Sequence, residues 1–302
     1  MIPKLLTGIL PIFVICIFVF IPAGLTLLIR TFKTKYKRNP LNLEMLRSPG
    51  QSLREKIENA SNNITECLIN IITIPLIIYC VVATQYIITK GTIDIVVIFF
   101  YICIAIITSV YFSLKLYKLL KYRTKCKLGY DCELMAGQEL LALMKEGFNI
   151  FHDFPAGSFN IDHIAVGPTG IFAIETKGRA KNKVIEKRNW EVEFNGKQLV
   201  FPGWTETKPI TQAIDQAKWL KNWIKKTTGH EYKVEPVLIL PGWFIKRTGA
   251  SDLKIYAGKN PTFLAKGPIL LNAQQIQSIS YQIEQKCRDV VCSAYNDFSK
   301  SK

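Results

Sequence analysis

Histidine is scarce in this chain. His152, His163 and His230 are the only three, too few to build a Cys/His metal cluster. The eight cysteines are scattered, and Cys16, Cys67, Cys80 and Cys103 lie in or at the edge of apolar runs. That pattern offers no disulfide framework, and a reduced, cytoplasmic setting is the simpler assumption for the polar part. Acidic residues are also short. Twenty-three Asp and Glu stand against 39 Lys and Arg, a formal charge of +16 at pH 7. Such a balance points to a polyanionic partner, nucleic acid or an anionic membrane face, although basic loops of a membrane protein give the same excess. Charge is missing from the centres of three long apolar runs. A transporter or proton pathway would need buried ionisable groups there, so the runs read as an anchor.

Those runs crowd the first 120 or so positions and raise the mean hydropathy to +0.16. Leu5 to Ile29, Leu68 to Ile88 and Ile93 to Leu114 are each long enough to span a bilayer, which takes roughly 20 apolar residues. Thr89 to Thr92 predicts a tight helical hairpin between the second and third. Arg30, Lys33, Lys35, Lys37 and Arg38 follow the first run, and Lys115, Lys118, Lys121, Arg123, Lys125 and Lys127 follow the third. Positive charge gathers on the cytoplasmic side, so three spans put the amino terminus outside and the carboxyl-terminal part inside. The expected division is a first span at residues 1–30, a cytoplasmic loop at 31–67 with an amphipathic helix near Leu53 to Ile64, a helical hairpin with its basic flank at 68–127, and a folded domain at 128–302.

Within that domain Cys132 to Glu146 reads as a helix stopped by Gly147. Phe148 to Phe154 reads as a strand. Ile161 to Lys177 then reads as two apolar strands around Gly167-Pro168-Thr169-Gly170. If those four residues form the loop, Val166 faces Ile171, and the register brings Asp162 opposite Glu175 and Asn160 opposite Lys177. Directly opposed side chains root about 4.5–5.5 Å apart. Two carboxylates so placed repel unless a proton or cation lies between them. A divalent ion on Asp162 and Glu175 resolves the conflict, and Mg²⁺ takes one or two carboxylates with waters and phosphate oxygens. Arg179, Lys181 and Lys183 follow, a basic run suited to phosphate backbone. A second hairpin turns at Asn195-Gly196. A helix from Pro209 to about Thr228 buries Ile210, Ala213, Ile214, Ala217, Leu220 and Ile224. Strands at Val234 to Leu240 and Leu253 to Tyr256 precede a closing helix from Ala273 to about Tyr295. The order indicates a mixed α/β domain.

Gly137-Gln138-Glu139, Ile161-Asp162-His163-Ile164, Gly167-Pro168-Thr169-Gly170-Ile171-Phe172 and Glu175-Thr176-Lys177-Gly178 resemble the nuclease-related domain, NERD, over roughly Met135 to Leu240. That family is similar to the PD-(D/E)xK restriction-endonuclease-like superfamily. The resemblance implies a central mixed sheet flanked by helices. It carries metal-binding acids onto Asp162 and Glu175, the catalytic lysine onto Lys177, an accessory helix acid onto Glu139 and a helix glutamine onto Gln212. Lys208 departs from the Asn that often precedes Pro209 in the family. The implied cofactor is Mg²⁺ or Mn²⁺, and the implied partners are nucleic acid, DNA first, and the bilayer. Two readings stay open: a membrane-anchored metal-dependent nuclease, and a catalytically silent nuclease-like protein that binds or scaffolds nucleic acid at the membrane.

Overall fold

A computed structural model describes residues 17–18, 21–34, 37, 39–41, 43–181 and 189–291. The first expected span falls largely outside these residues. Its described part is helical over 21–34. The chain divides into two compact units. One comprises Met1–Asn42, Glu58–Arg123 and Cys292–Lys302, and the other Leu43–Ile57 and Thr124–Val291.

The first unit holds most of two long helices, α1 (Gln51–Ile88) and α2 (Ile95–Leu140). Both are long and apolar enough to cross a membrane. Leu68, Ile69, Ile72, Ile77, Phe99, Phe100 and Ile107 stay exposed along them, as a lipid-facing helix requires. The turn between them contains Lys90 and Gly91 at positive φ. The predicted amphipathic segment near Leu53 to Ile64 is not a separate element, because α1 begins at Gln51 and runs on without a break. The predicted helix from Cys132 is likewise the last part of α2, followed by a 3₁₀ turn at Leu141–Glu146. Gly129 alone weakens the helix between the basic run and Cys132, and a single glycine, at about 1 kcal/mol, does not stop it.

The second unit is a mixed α/β domain. Its main sheet contains β2 (Asn149–Pro155), β3 (Asn160–Gly167), β4 (Gly170–Thr176), β8 (Val234–Ile239) and β10 (Lys254–Tyr256). The order is β10-β8-β4-β3-β2, with β2, β3 and β4 antiparallel and β4, β8 and β10 parallel. A smaller sheet contains β5 (Glu191–Phe194), β6 (Leu199–Phe201), β7 (Trp204–Glu206) and β9 (Phe244–Arg247), in the order β7-β6-β5-β9. Gly196 at φ +90° makes the predicted β5–β6 turn, and the Asn195 side chain accepts the N–H groups of Lys197 and Gln198.

Helix α3 (Lys208–Thr228) packs on the main sheet. Pro209 sits in its first turn, where no N–H is missed, and Gly229 ends it in the left-handed region. Its Ala217, Leu220 and Ile224 join Ile164, Val166, Ile171 and Ala173 of β3 and β4 in one core. Fully burying a side chain such as Leu220 or Ile224 contributes roughly 1.5–3 kcal/mol. The opposite face of β4, Phe172 and Ile174, packs with Ala136, Leu140 and Leu143.

The closing helix α4 (Ala273–Cys287) opens with an Asn272/Gln275 capping box and is shorter than expected. Arg288–Val290 leaves the helix as β11 and pairs antiparallel with β1 (Met45–Leu46). The Arg47 N–H takes the Cys287 carbonyl at the helix end, 3.0 Å away. The predicted helical residues 292–295 lie outside the described residues.

Arg47 makes the larger correction to the expected loop at 31–67. Its guanidinium reaches Asp153 Oδ2 at 2.9 Å and forks onto Asp289 at 2.7 and 2.8 Å. Asp153 is 3% exposed and at φ +48°, a conformation costly for a non-glycine residue. The Ser52 N–H and hydroxyl donate to the same Oδ2, and Asn160 Nδ2 donates to Oδ1. Leu43–Ile57 is therefore part of the domain. Replacing Arg47 with Ala leaves a buried carboxylate short of its cation, at a cost of roughly 3 kcal/mol. Thermal unfolding of the full chain in detergent should show a Tm several degrees lower for Arg47→Ala, and an unchanged Tm would contradict this account.

Candidate functional site

The predicted register holds. Val166 pairs with Ile171, and the ladder runs to His163 opposite Ile174. Gly167 pairs with Gly170, so the turn itself is the two residues Pro168 and Thr169. Asp162 and Glu175 come next, on the face that carries Ile164, Val166 and Ala173 toward α3. There β8 takes over the support of β4, pairing Glu175 with Leu238 and Thr176 with Ile239. The Lys177 N–H adds one more bond, 2.9 Å to the Ile239 carbonyl.

Glu175 is 1% exposed. Lys177 Nζ forms an ion pair with its Oε1, and Gln216 Nε2 donates to its Oε2 at 2.6 Å. Gln216 also donates to the Asn160 carbonyl at 3.2 Å. That fixes which end of the amide faces Glu175 and leaves Gln216 Oε1 buried with no donor. Asp162 Oδ2 accepts the Thr176 N–H at 2.7 Å. A third acid, Glu133 of α2, is buried and makes no hydrogen bond or ion pair with a described residue.

These groups set one another's charge. Burial, then the charges of Glu175 and Glu133, hold the Asp162 carboxyl well above its ordinary range. Burial also raises Glu175, although Lys177 and Gln216 work against it. Glu133 lies beyond the basic run that ends the apolar part of α2. Burial, Asp153 and Glu175 push it up to about 8. Burial works to lower Lys177, but Glu175 and Asp162 outweigh it, so the ammonium is held more firmly than usual.

The structure thus brings Asp162, Glu175 and Lys177 together and sets the predicted Glu139 and Gln212 apart from them. Glu139 lies six residues past Glu133, about 240° farther round the helix at roughly 100° per residue. It faces Tyr256 instead, where its charge adds to burial in raising the phenol. Glu133 is the helix acid whose charge is felt at Asp162 and Glu175. The signal for it was present: Glu133 shares a stripe with Ala136 and Leu140, and an acid on a buried stripe needs a reason. Gln212 is half-buried one turn before Gln216 and makes no bond to Glu175. Gln216 stands on the buried face between Ala213 and Leu220.

The basic run is also changed. Arg179 Nε and Nη2 fork onto Glu206 at 2.8 and 2.6 Å, so its guanidinium is engaged within the protein. Lys181 Nζ stands 5.6 Å from the Trp243 ring centre. Lys183 lies outside the described residues.

Among the described residues no three His, Cys, Asp or Glu side chains already form a cage that could hold a metal. The carboxylates are nevertheless crowded, short of positive charge and offer oxygen only, a donor set suited to a hard divalent cation. The unbonded Glu133 and the orphaned Gln216 Oε1 leave acceptor capacity beside them.

Two acids and a lysine on adjoining strands of a mixed sheet, with an acid and an amide from flanking helices, define a nuclease-like α/β domain. The family model of the nuclease-related domain, NERD, matches residues 128–241, and the chain carries that domain there. No curated protein matches the chain, and no solved structure does. The folded unit is larger than the matched stretch, since Leu43–Ile57 and the residues up to Val291 belong to it.

The shift of Glu133 gives a pH prediction. Its folded carboxyl binds a proton more tightly than the unfolded one, so its contribution is full at acid pH and is lost as pH rises toward about 8. In chelator, the parent should lose a few kcal/mol between pH 5 and 9, and Glu133→Gln should have a shallower slope. Equal slopes in denaturation curves across that range would contradict the placement of Glu133.

Proposed function

We propose that this protein is a membrane-anchored nuclease that hydrolyses phosphodiester bonds of nucleic acid, DNA in the first instance, with Mg²⁺ or Mn²⁺. The observation that carries the reading is Asp162 and Glu175 following the last pair of the β3–β4 ladder, with Lys177 paired to Glu175 and the charge of Glu133 felt at both acids. A purely structural sheet gains nothing from three carboxyls that raise one another's proton affinity.

Asp162 and Glu175 would hold the ion, with Glu133 adding a third carboxylate. Such an ion, when bound, polarises a phosphate oxygen and lowers the pKa of a bound water. Lys177 keeps its proton at neutral pH and offers positive charge where negative charge grows on the phosphoryl oxygens. Gln216 pins Glu175 from α3, and the Thr176 N–H holds Asp162. Arg179, held by Glu206, adds positive potential beside Lys177. The net charge of +16 favours a polyanion in general and carries no sequence preference.

The apolar helices support an anchor. The basic residues after Leu114 support a cytoplasmic position for the domain, with a third span placing the amino terminus outside. One observation favours the silent reading, a nuclease-like protein that binds or scaffolds without cutting. Both oxygens of Glu175 are already taken, by Lys177 and Gln216.

Cleavage decides between them. The full chain in detergent should cut plasmid, linear or single-stranded DNA only with Mg²⁺ or Mn²⁺. Asp162→Asn, Glu175→Gln and Lys177→Ala should each lower the rate roughly a hundred-fold or more. Cleavage that persists in chelator, or survives all three changes, overturns the metal-dependent reading. Binding without cleavage selects the silent one.

A further inference from the structure

The smaller sheet exposes aromatic surface that the proposed reaction does not use. Trp190 is 45% exposed and Phe244 55% exposed. Their rings meet edge to face, with centroids 5.4 Å apart, and the Phe244 N–H donates to the Trp190 carbonyl at 2.8 Å. Both line a cavity of about 480 Å³, together with Trp243, Ile255, Tyr256 and Arg247. Its walls are mainly apolar, and among the described residues that line it Arg247 is the only charged side chain. One Arg247 nitrogen donates to the Ile255 carbonyl, which holds the guanidinium at the rim.

A hydrogen bond ties a wall of this cavity to the segment just past the acid–lysine site. Trp243 lines the cavity, while its Nε1 donates to the Arg179 carbonyl at 3.1 Å. Arg179 is two residues past Lys177. Lys181 sits over the same Trp243 ring. A phosphate near Lys177 would therefore have an aromatic recess close by, with Arg247 and Lys181 beside it.

We propose that the recess receives an unpaired nucleobase of the bound strand, so that the protein prefers single-stranded nucleic acid or frayed duplex ends to intact duplex. The proposal rests on the nucleic-acid reading of the site. Every base has a π face that stacks on Trp or Phe, whereas a base inside a duplex is already stacked and paired. The volume lies in the ordinary range for a small-molecule pocket, roughly 300–1,000 Å³, and so has room for a base and its sugar. Sequence preference would be weak, because stacking tolerates all four bases.

The test uses the full chain in detergent carrying Lys177→Ala, so that binding is read without cleavage. The probes are fluorescein-labelled oligothymidylate, oligoadenylate and a blunt duplex of matched length. Anisotropy should show tighter binding of the single strands. Trp190→Ala and Phe244→Ala should weaken single-strand binding on the order of ten- to a hundred-fold. Duplex binding and Tm should stay unchanged. Trp190→Phe keeps an aromatic face and should restore most of the affinity. Single-strand affinity that both alanine changes leave intact overturns the proposal, as does a parent that binds no single strand. Cleavage is scored separately with Lys177 restored. A protein that holds single strands through Trp190 yet never cuts defeats the nuclease reading and supports the recess.

Discussion

The site depends on the support that Lys177 and Gln216 give the buried Glu175 carboxyl. A lone buried carboxylate would take up a proton, and nearby Asp162 and Glu133 make that pressure stronger. Lys177 and Gln216 oppose it, one from the same strand end and one from α3. Much of the domain serves these two contacts. The parallel pairing of β4 with β8 carries the strand past its last pair with β3, His163–Ile174, and so brings Lys177 to the ion pair. The Ala213, Ala217, Leu220 and Ile224 stripe sets α3 at the rotation that points Gln216 inward. Packing thus fixes chemistry.

The support extends beyond the matched nuclease-related stretch. Gln216 donates to the Asn160 carbonyl, and the Asn160 side chain donates to Ser52 Oγ at 2.5 Å and Asp153 Oδ1 at 3.0 Å. Asp153 is held in turn by Arg47, which also grips Asp289. A hydrogen-bonded path therefore joins the segment before α1, the positive-φ residue Asp153 of β2, the last described strand and the buried glutamate. Removing a link leaves a buried polar group unpaired, which costs more than the bond itself contributes.

The acid–lysine hairpin was legible in the sequence because turn length sets register. Once Gly167 and Gly170 flank a tight turn, alternation places Asp162 and Glu175 together. The α3 stripe and the Asn195-Gly196 turn were legible for similar local reasons. The helix partners were less so. Glu139 and Glu133 both lie on one helix, as Gln212 and Gln216 do on another, and helical rotation alone decides which reaches the acids. Reading the buried stripe would have selected Glu133. The β1–β11 pair and the Arg47 clasp were not legible, since strands of two and three residues carry little pattern and their pairing joins residues over 240 positions apart. The continuity of α2 from apolar run to Glu133 was missed because changes in composition looked like a boundary.

The central claim is that Asp162, Glu175 and Glu133 form a cation site. Isothermal titration of the full chain with Mn²⁺ or Mg²⁺ at pH 7, in two buffers of different ionisation enthalpy, tests it most directly. Carboxyls with raised proton affinity must release protons when an ion binds, so the account predicts saturable binding with proton release. Asp162→Asn should abolish that binding or greatly weaken it. Absence of saturable binding, or binding that Asp162→Asn leaves unchanged, would contradict the account.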